Sequence, residues 1–327
     1  MRSLGLFAAL GLSGCFPLPG GTSSPSGTIP STTTGPSTTL PTGTATGLVT
    51  ESFVQGAPAL DLLFVIDDSG SMANDQAELG LALPIFLDAI VGTAIDYHLG
   101  VITMDLDVVS APGSRGELVE IGGERWVSPA TVDPYGTLGQ MAAVGTYGSS
   151  AEQGIGATWL ALGDNADTVN AGFLRDGSAL QLVYLTDERD GTPRSLITPA
   201  EFLDWIDQLG APRPSLGVTA IVDADGLSPG VEYVDLANQV GGTVHDIDTV
   251  DYTLAMDLLG LEASSLARRF CLAAAPDPAS VGVTVTEPDG TFVVLGAAEV
   301  AVDGVCVELS AYGPPEGSTV EVSYLPL

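Results

Sequence analysis

A run of apolar residues that stops on two acids limits what this chain can become more than any other feature. Leu60–Met72 reads Leu-Asp-Leu-Leu-Phe-Val-Ile-Asp-Asp-Ser-Gly-Ser-Met. Leu62 to Ile66 offer apolar side chains to both faces of an extended strand, the pattern of a parallel sheet covered by helices on each side. Asp67, Ser69 and Ser71 then fall just past the carboxyl end of that strand, the edge of an open α/β sheet at which ligands bind. Three oxygen-bearing side chains at alternate positions of one tight turn can converge on a hard cation, and Gly70 lets the backbone turn closely. The plain alternative is a polar turn between strand and helix.

Features farther along weigh against that alternative. Asn74–Val91 carries Leu79, Leu83, Phe86, Leu87 and Ile90 at helical spacing, with Pro84 expected to kink or delay the helix. Asp96–Asp105 alternates as a strand and ends in Thr103 and Asp105, with His98 on its polar register and expected to be solvated. Ala111–Gly148, rich in glycine and proline, is expected to be a long helix-free stretch that forms a hairpin or loop around Glu117–Trp126 over the charged edge. Ser149–Asp164 follows as a helix with Glu152, Ile155, Trp159 and Leu162 on one side. Leu180–Thr186 is a second apolar strand, again ending in acids, Asp187-Glu188-Arg189-Asp190. Thr198-Pro199-Ala200-Glu201 is a capping box, and strands at Leu216–Val222 and Thr243–Ile247 alternate with helices at Val231–Val240 and Asp251–Leu266. Alternation of this kind predicts an α/β fold, a doubly wound, mostly parallel sheet of Rossmann-like type.

Asp-x-Ser-x-Ser after a buried strand, with a second acid cluster at the end of a later strand, strongly resembles the metal-ion-dependent adhesion site of von Willebrand factor A domains. The resemblance covers about two thirds of the chain and implies Mg2+, or Mn2+ or Ca2+, held by Asp67, Ser69, Ser71 and Asp187, the last through water. The family's pattern places a threonine ligand before the helix at 149–164. Here Ser149-Ser150-Ala151-Glu152 stands instead, so Ser150 or Glu152 fills the role. A direct Glu152 would neutralise the cation and weaken its pull on a partner's carboxylate; the alternative is a helix-start acid favoured by the dipole. Asp68, Thr103, Asp105 and Asp190 are candidates for supporting or alternative ligands, and Asp190 is expected to form a salt bridge with Arg189.

Beyond Arg268 the periodicity changes to two. Val281–Thr286 and Thr291–Leu295 flank Pro288-Asp289-Gly290, a hairpin signal; Val300–Leu309 surrounds Asp303-Gly304, and Thr319–Tyr324 follows. A small β module is expected over residues 267–327, leaning on an A-type domain over 51–266.

At the amino end, Arg2, the short apolar stretch Leu4–Leu12 and then Leu12-Ser13-Gly14-Cys15 resemble a bacterial lipoprotein signal, with Cys15 as the lipidated residue of a leader spanning 1–15. Residues 16–50 are Thr, Ser, Pro and Gly with few large apolar groups, a tether that cannot bury a core. Outside the cytoplasm, the remaining pair, Cys271 and Cys306, is expected to form a disulfide rather than a metal site.

The chain holds 41 acids against 9 bases, none of them lysine, for a net charge of −32. That argues against nucleic acid, and it leaves the lipid anchor as the sole expected membrane contact. Together these features predict a cell-envelope lipoprotein, at the outer membrane or cell surface, that binds a divalent cation and mediates metal-dependent adhesion to a protein presenting an acidic side chain. It is not expected to be an enzyme, since no histidine stands near the acids and no nucleophile elbow or phosphate loop is present. The rival readings are a metal-assisted hydrolase, with Asp190 as base, and an envelope structural protein that uses the cation for folding alone.

Overall fold

Leu62, Phe64 and Ile66 turn to one side of their strand and Leu63 and Val65 to the other, and each set enters a separate core. The computed structural model describes residues 47–107, 111–224, 229–310 and 312–327, which all belong to one compact unit. The expected leader with Cys15 and all but the last residues of the expected tether lie outside the described residues.

In chain order, strand β1 (Val49–Val54) is followed by β2 (Ala59–Ile66), helix α1 (Ala73–Ile90), β3 (Asp96–Thr103), α2 (Pro134–Ala142), α3 (Gly154–Leu162) and β4 (Ala179–Thr186). Then come α4 (Pro199–Gly210), β5 (Leu216–Val222), α5 (Val231–Val240), β6 (Thr243–Asp246) and α6 (Tyr252–Ser265). The central sheet has five strands in the order β3-β2-β4-β5-β6, every pair parallel. Helices α1, α2 and α6 supply one core, and α3, α4 and α5 the other. This is the expected doubly wound α/β architecture. The chain leaves β2 toward β3 on one side and later returns to β4 on the other, so β2 and β4 flank the topological switch point.

Local chemistry explains the boundaries. Helix α4 starts at the expected capping box, Thr198 accepting from the Glu201 N–H and Glu201 from the Thr198 N–H. Helix α1 runs through Pro84 without a break, so the expected kink does not end it. The 111–148 segment is not helix-free: Asp133 caps α2, with Pro134 in its first turn. Nor does Glu117–Trp126 lie over the charged edge. Val119 N–H bonds Val101 O and Val127 pairs with Leu99, so the segment runs along β3 and covers the outer edge of the sheet. His98 is half-buried rather than solvated: its Nδ1 is 2.9 Å from Phe173 O, and its ring packs against Trp126 and Phe173.

The remaining strands are β7 (Arg269–Cys271), β8 (Gly282–Thr286), β9 (Phe292–Leu295), β10 (Val300–Asp303), β11 (Cys306–Leu309) and β12 (Thr319–Tyr324). They form a four-stranded sheet, β1-β12-β8-β9, and a three-stranded one, β10-β11-β7, around a third core that includes Phe53, Phe270, Val285, Val307 and Val322. The β module is therefore completed by Val49–Val54, residues that sequence analysis divides between the tether and the start of the α/β domain. Val49, Phe53 and the buried Glu51 alternate inward there, and Glu51 accepts from the Ala273 N–H and the Tyr324 hydroxyl.

Cys271 and Cys306 are bonded and stand opposite one another on β7 and β11. Replacing both with alanine is expected to cost roughly 3–4 kcal/mol, the loop-closure entropy restored to the unfolded chain. Urea unfolding followed by circular dichroism measures that loss. Among the described residues no helix is long and apolar enough to cross a membrane.

Candidate metal centre

The ends of three adjacent strands set the site. Asp67 N–H bonds Leu185 O and Met104 N–H bonds Ile66 O, so β2, β4 and β3 end at one level. From the first of these ends, Asp67 turns its carboxylate back on its own loop: Oδ1 accepts from the Ser69 N–H at 2.7 Å, and Oδ2 from the Thr186 hydroxyl at 2.7 Å. Ser69 Oγ lies 3.0 Å from Ser71 Oγ. Ser71 Oγ then donates to Asp187 Oδ1 at 3.1 Å, across 116 residues of sequence. Two hydroxyls and two carboxylates from separate loops thus meet above the carboxyl edge of the sheet. Ser71 is exposed and Asp187 half-buried, so the cluster opens to solvent, whereas Asp67 is fully buried.

A second layer of acid lies beneath. Glu152 is 1 % exposed and neither of its carboxylate oxygens accepts a hydrogen bond, its neighbour being the Asp67 carboxylate; Asp68 is 2 % exposed and its Oδ1 accepts none. Burial, with the charges of Asp67 and Asp68, pushes Glu152 up to about 10. Burial and Asp105 push Asp68 up to about 7, and burial also raises Asp67 and Asp190. Among the described residues no arginine forms an ion pair with Asp67, Asp68, Glu152 or Asp187. Buried carboxylates without a counter-charge are costly, and a divalent cation is the species that would relieve them. The donors are all hard oxygen, which suits Mg2+, Mn2+ or Ca2+. Among the described residues no three His, Cys, Asp or Glu side chains are grouped so as to hold a metal ion by themselves; a cation here would need the serine hydroxyls.

The acids fix the sign of a pH effect. In chelator, the folded chain holds protons on Asp68 and Glu152 that the unfolded chain has released, since the ordinary values are 3.8 and 4.5. Stability is therefore greatest below those values and falls as pH rises toward 7 for Asp68 and 10 for Glu152. Thermal melts in EDTA are expected to drop by several degrees between pH 5 and 8, and added Mg2+ to offset more of the drop at pH 8.

The other expected site residues fall into place differently. Ser150 is exposed while Glu152 is buried against Asp67 and Asp68, and Glu152 precedes α3 rather than lying on its face. Thr103 is buried, with its hydroxyl accepting from the Asp105 N–H. Asp105 holds the loop above: Oδ2 accepts from the Ser149 N–H at 3.0 Å. Asp190 does not pair with Arg189, which bonds Glu232 at 3.1 Å. Instead Asp190 accepts from Ile155 N–H, Thr192 N–H and the Thr192 hydroxyl, and Gly191 N–H bonds Glu152 O, so the loop after β4 is stapled to the start of α3.

Three contributors escape sequence reasoning. Thr186 holds the Asp67 carboxylate; its place directly before Asp187 is the only signal. Gln76, in the first turn of α1, donates to both Asp67 O and Gly145 O at 2.8 Å. Gly148 lies so close to Asp68 that a β-carbon there would sit 2.5 Å from its Cγ, which ties this loop to glycine.

No family model matches the chain, and no curated protein does. Solved structures show a slight likeness. A von Willebrand factor type A protein from Catenulispora acidiphila is 15% identical, with 86% of this chain and 60% of that chain covered and a TM-score of 0.41. The pilus adhesin SpaC from Lactobacillus rhamnosus GG, in its open conformation, is 12% identical over 85% of this chain and 40% of its own, at a TM-score of 0.45. The human COPII-coat protein Sec24c is 12% identical over 84% of this chain and 39% of its own, at 0.40. The chain thus spans between about two fifths and three fifths of the length of these proteins. The strand order and the geometry of the acids, not these likenesses, carry the reading below.

Proposed function

We propose that the chain is a cell-envelope lipoprotein whose α/β domain binds a divalent cation and uses it in contact with another protein. The observation that carries this reading is the bond from Ser71 Oγ to Asp187 Oδ1, which joins the serine loop to the acid after β4. Ser69, Ser71 and Asp187 supply the outer donors, and Asp67 orients the loop by holding the Ser69 N–H. Of the two candidates before α3, the buried and unpartnered Glu152 suits a cation better than the exposed Ser150. A carboxylate so close lowers the charge left for an acidic side chain on the partner, so contact through the cation is reversible. The leader-like start with Cys15 and the polar tether after it would hold the domain at the membrane.

Calorimetry tests the core of this proposal. Mg2+ or Mn2+ should bind the wild-type chain at one site and fail to bind Asp187→Ala. Capture of an envelope protein in Mg2+ that is lost in EDTA supports the contact with a partner. Equal cation affinity in wild type and variant would remove the proposal, and capture that ignores the chelator would count against the bridge.

A further inference from the structure

The outer face of the four-stranded sheet has no described partner. Its strands alternate, with Phe53, Val283, Val285, Val320 and Val322 turned into the core of the module. The registers align the outward residues in rows across β1, β12, β8 and β9: Val54, Thr319, Thr286, Phe292, then Ser52, Glu321, Thr284, Val294. A third row holds Thr50, Ser323 and Gly282. Only Glu321 among them is charged, on a chain of net charge −32. Val54, Phe292 and Val294 are 50 %, 62 % and 65 % exposed. Thr291 to Ala298 contain no charged residue, and among the described residues no strand pairs with the outer side of β9. The outer β3 edge of the central sheet, by contrast, is covered by Val119 and Val127. A sheet face with a single charge, ending in an open apolar edge, is a surface that association covers.

We propose that two copies of this chain meet on that face, sheet against sheet about a two-fold axis. Charge selects the occupant. Two copies repel wherever their acids face each other, and this face is nearly clear of them; a basic partner would be drawn to the acidic surface elsewhere. Four strands about 4.8 Å apart, each about five residues long, give a face of about 300 Å² in projection. Two such faces amount to about 600 Å² in projection, small beside a standard specific interface, so the dimer is weak and reversible. Two-fold symmetry brings Glu321 of each copy into the same interface.

Sedimentation velocity of the full-length chain in EDTA, over a range of protein and salt concentrations, tests the proposal. The expected result is a monomer–dimer equilibrium that tightens as salt screens the net charge. Val294→Glu with Thr286→Glu should weaken association by at least about tenfold, because like charges are placed in contact. Glu321→Gln should strengthen it. These positions are solvent-facing in the monomer, and an unchanged circular dichroism spectrum checks that the fold survives. A monomer at every concentration would overturn the proposal. So would a dimer whose constant is the same in the glutamate variant, since association would then use another surface, such as the apolar amino end.

Discussion

Glu152→Gln is expected to stabilise the cation-free protein and at the same time to shrink its stabilisation by Mg2+. Both of its oxygens are buried and accept no hydrogen bond, and burial beside the Asp67 and Asp68 carboxylates pushes its proton affinity up to about 10. The wild-type chain must hold a proton there that an unfolded chain at neutral pH has released. Glutamine keeps the shape, removes the titration and offers an N–H to the neighbouring carboxylates. At pH 8 the gain should be on the order of 3 kcal/mol, or roughly 5–10 °C in melting temperature for a domain of this size. The gain should shrink toward zero below the ordinary glutamate value of 4.5. In Mg2+ the order reverses, because the wild type gains a ligand that the variant lacks. Scanning calorimetry at pH 5 and pH 8, with EDTA and with Mg2+, reads all four cases. A glutamine variant that melts with the wild type in every one would show that Glu152 is solvated or already paired.

Asp67→Ala should act in the opposite way. The Asp67 carboxylate accepts from the Ser69 N–H and from the Thr186 hydroxyl, and it fixes the turn that places the two serines. Without it the Thr186 hydroxyl can donate only to Glu188 O, at 3.4 Å, while it still accepts from the Glu188 N–H at 3.0 Å. Even if Asp67 touches a cation only through water, loss of such an orienting group costs about 10–100-fold in metal affinity. Thermal shift against Mg2+ concentration measures the change. An unaltered midpoint would mean that the serine loop keeps its shape unaided. Asp67→Ala should weaken cation binding without the gain in cation-free stability expected of Glu152→Gln. The pair of variants therefore separates an acid that builds the loop from one that awaits a counter-charge.

Much of this was legible in the chain because burial on both faces leaves a plain signature. Leu62–Ile66 is apolar throughout and Leu180–Thr186 is apolar but for Gln181 and Thr186, and each run ends in acids, so strand, direction and site edge are read together. Helices with a capping box or a terminal glycine, such as α4 and α5, also announce themselves. What was not legible depends on contacts distant in sequence. Val49–Val54 looks like the end of a polar tether until Thr319–Tyr324 pairs with it across the module. Segment 117–127 contains no clear strand because its bonds within itself are limited to the Ile121–Glu124 turn, and Val119 and Val127 bond to the edge of β3 instead. Asp190 and Arg189 are neighbours in sequence, which suggests an ion pair; the backbone instead turns Asp190 inward to the start of α3 and Arg189 outward to Glu232. The choice between Ser150 and Glu152 needed burial, which periodicity could not supply once the helix began two residues later than Glu152.

The central claim is that the serine hydroxyls and Asp187 form one oxygen cluster built to hold a cation. A crystal of the full-length chain soaked in Mn2+ and measured for anomalous scattering tests it most directly. A single strong anomalous peak within coordination distance of Ser69 Oγ and Ser71 Oγ, with Asp187 beside it, is the predicted result. Density free of manganese at that point, with the Ser71–Asp187 hydrogen bond intact at saturating metal, would contradict the account.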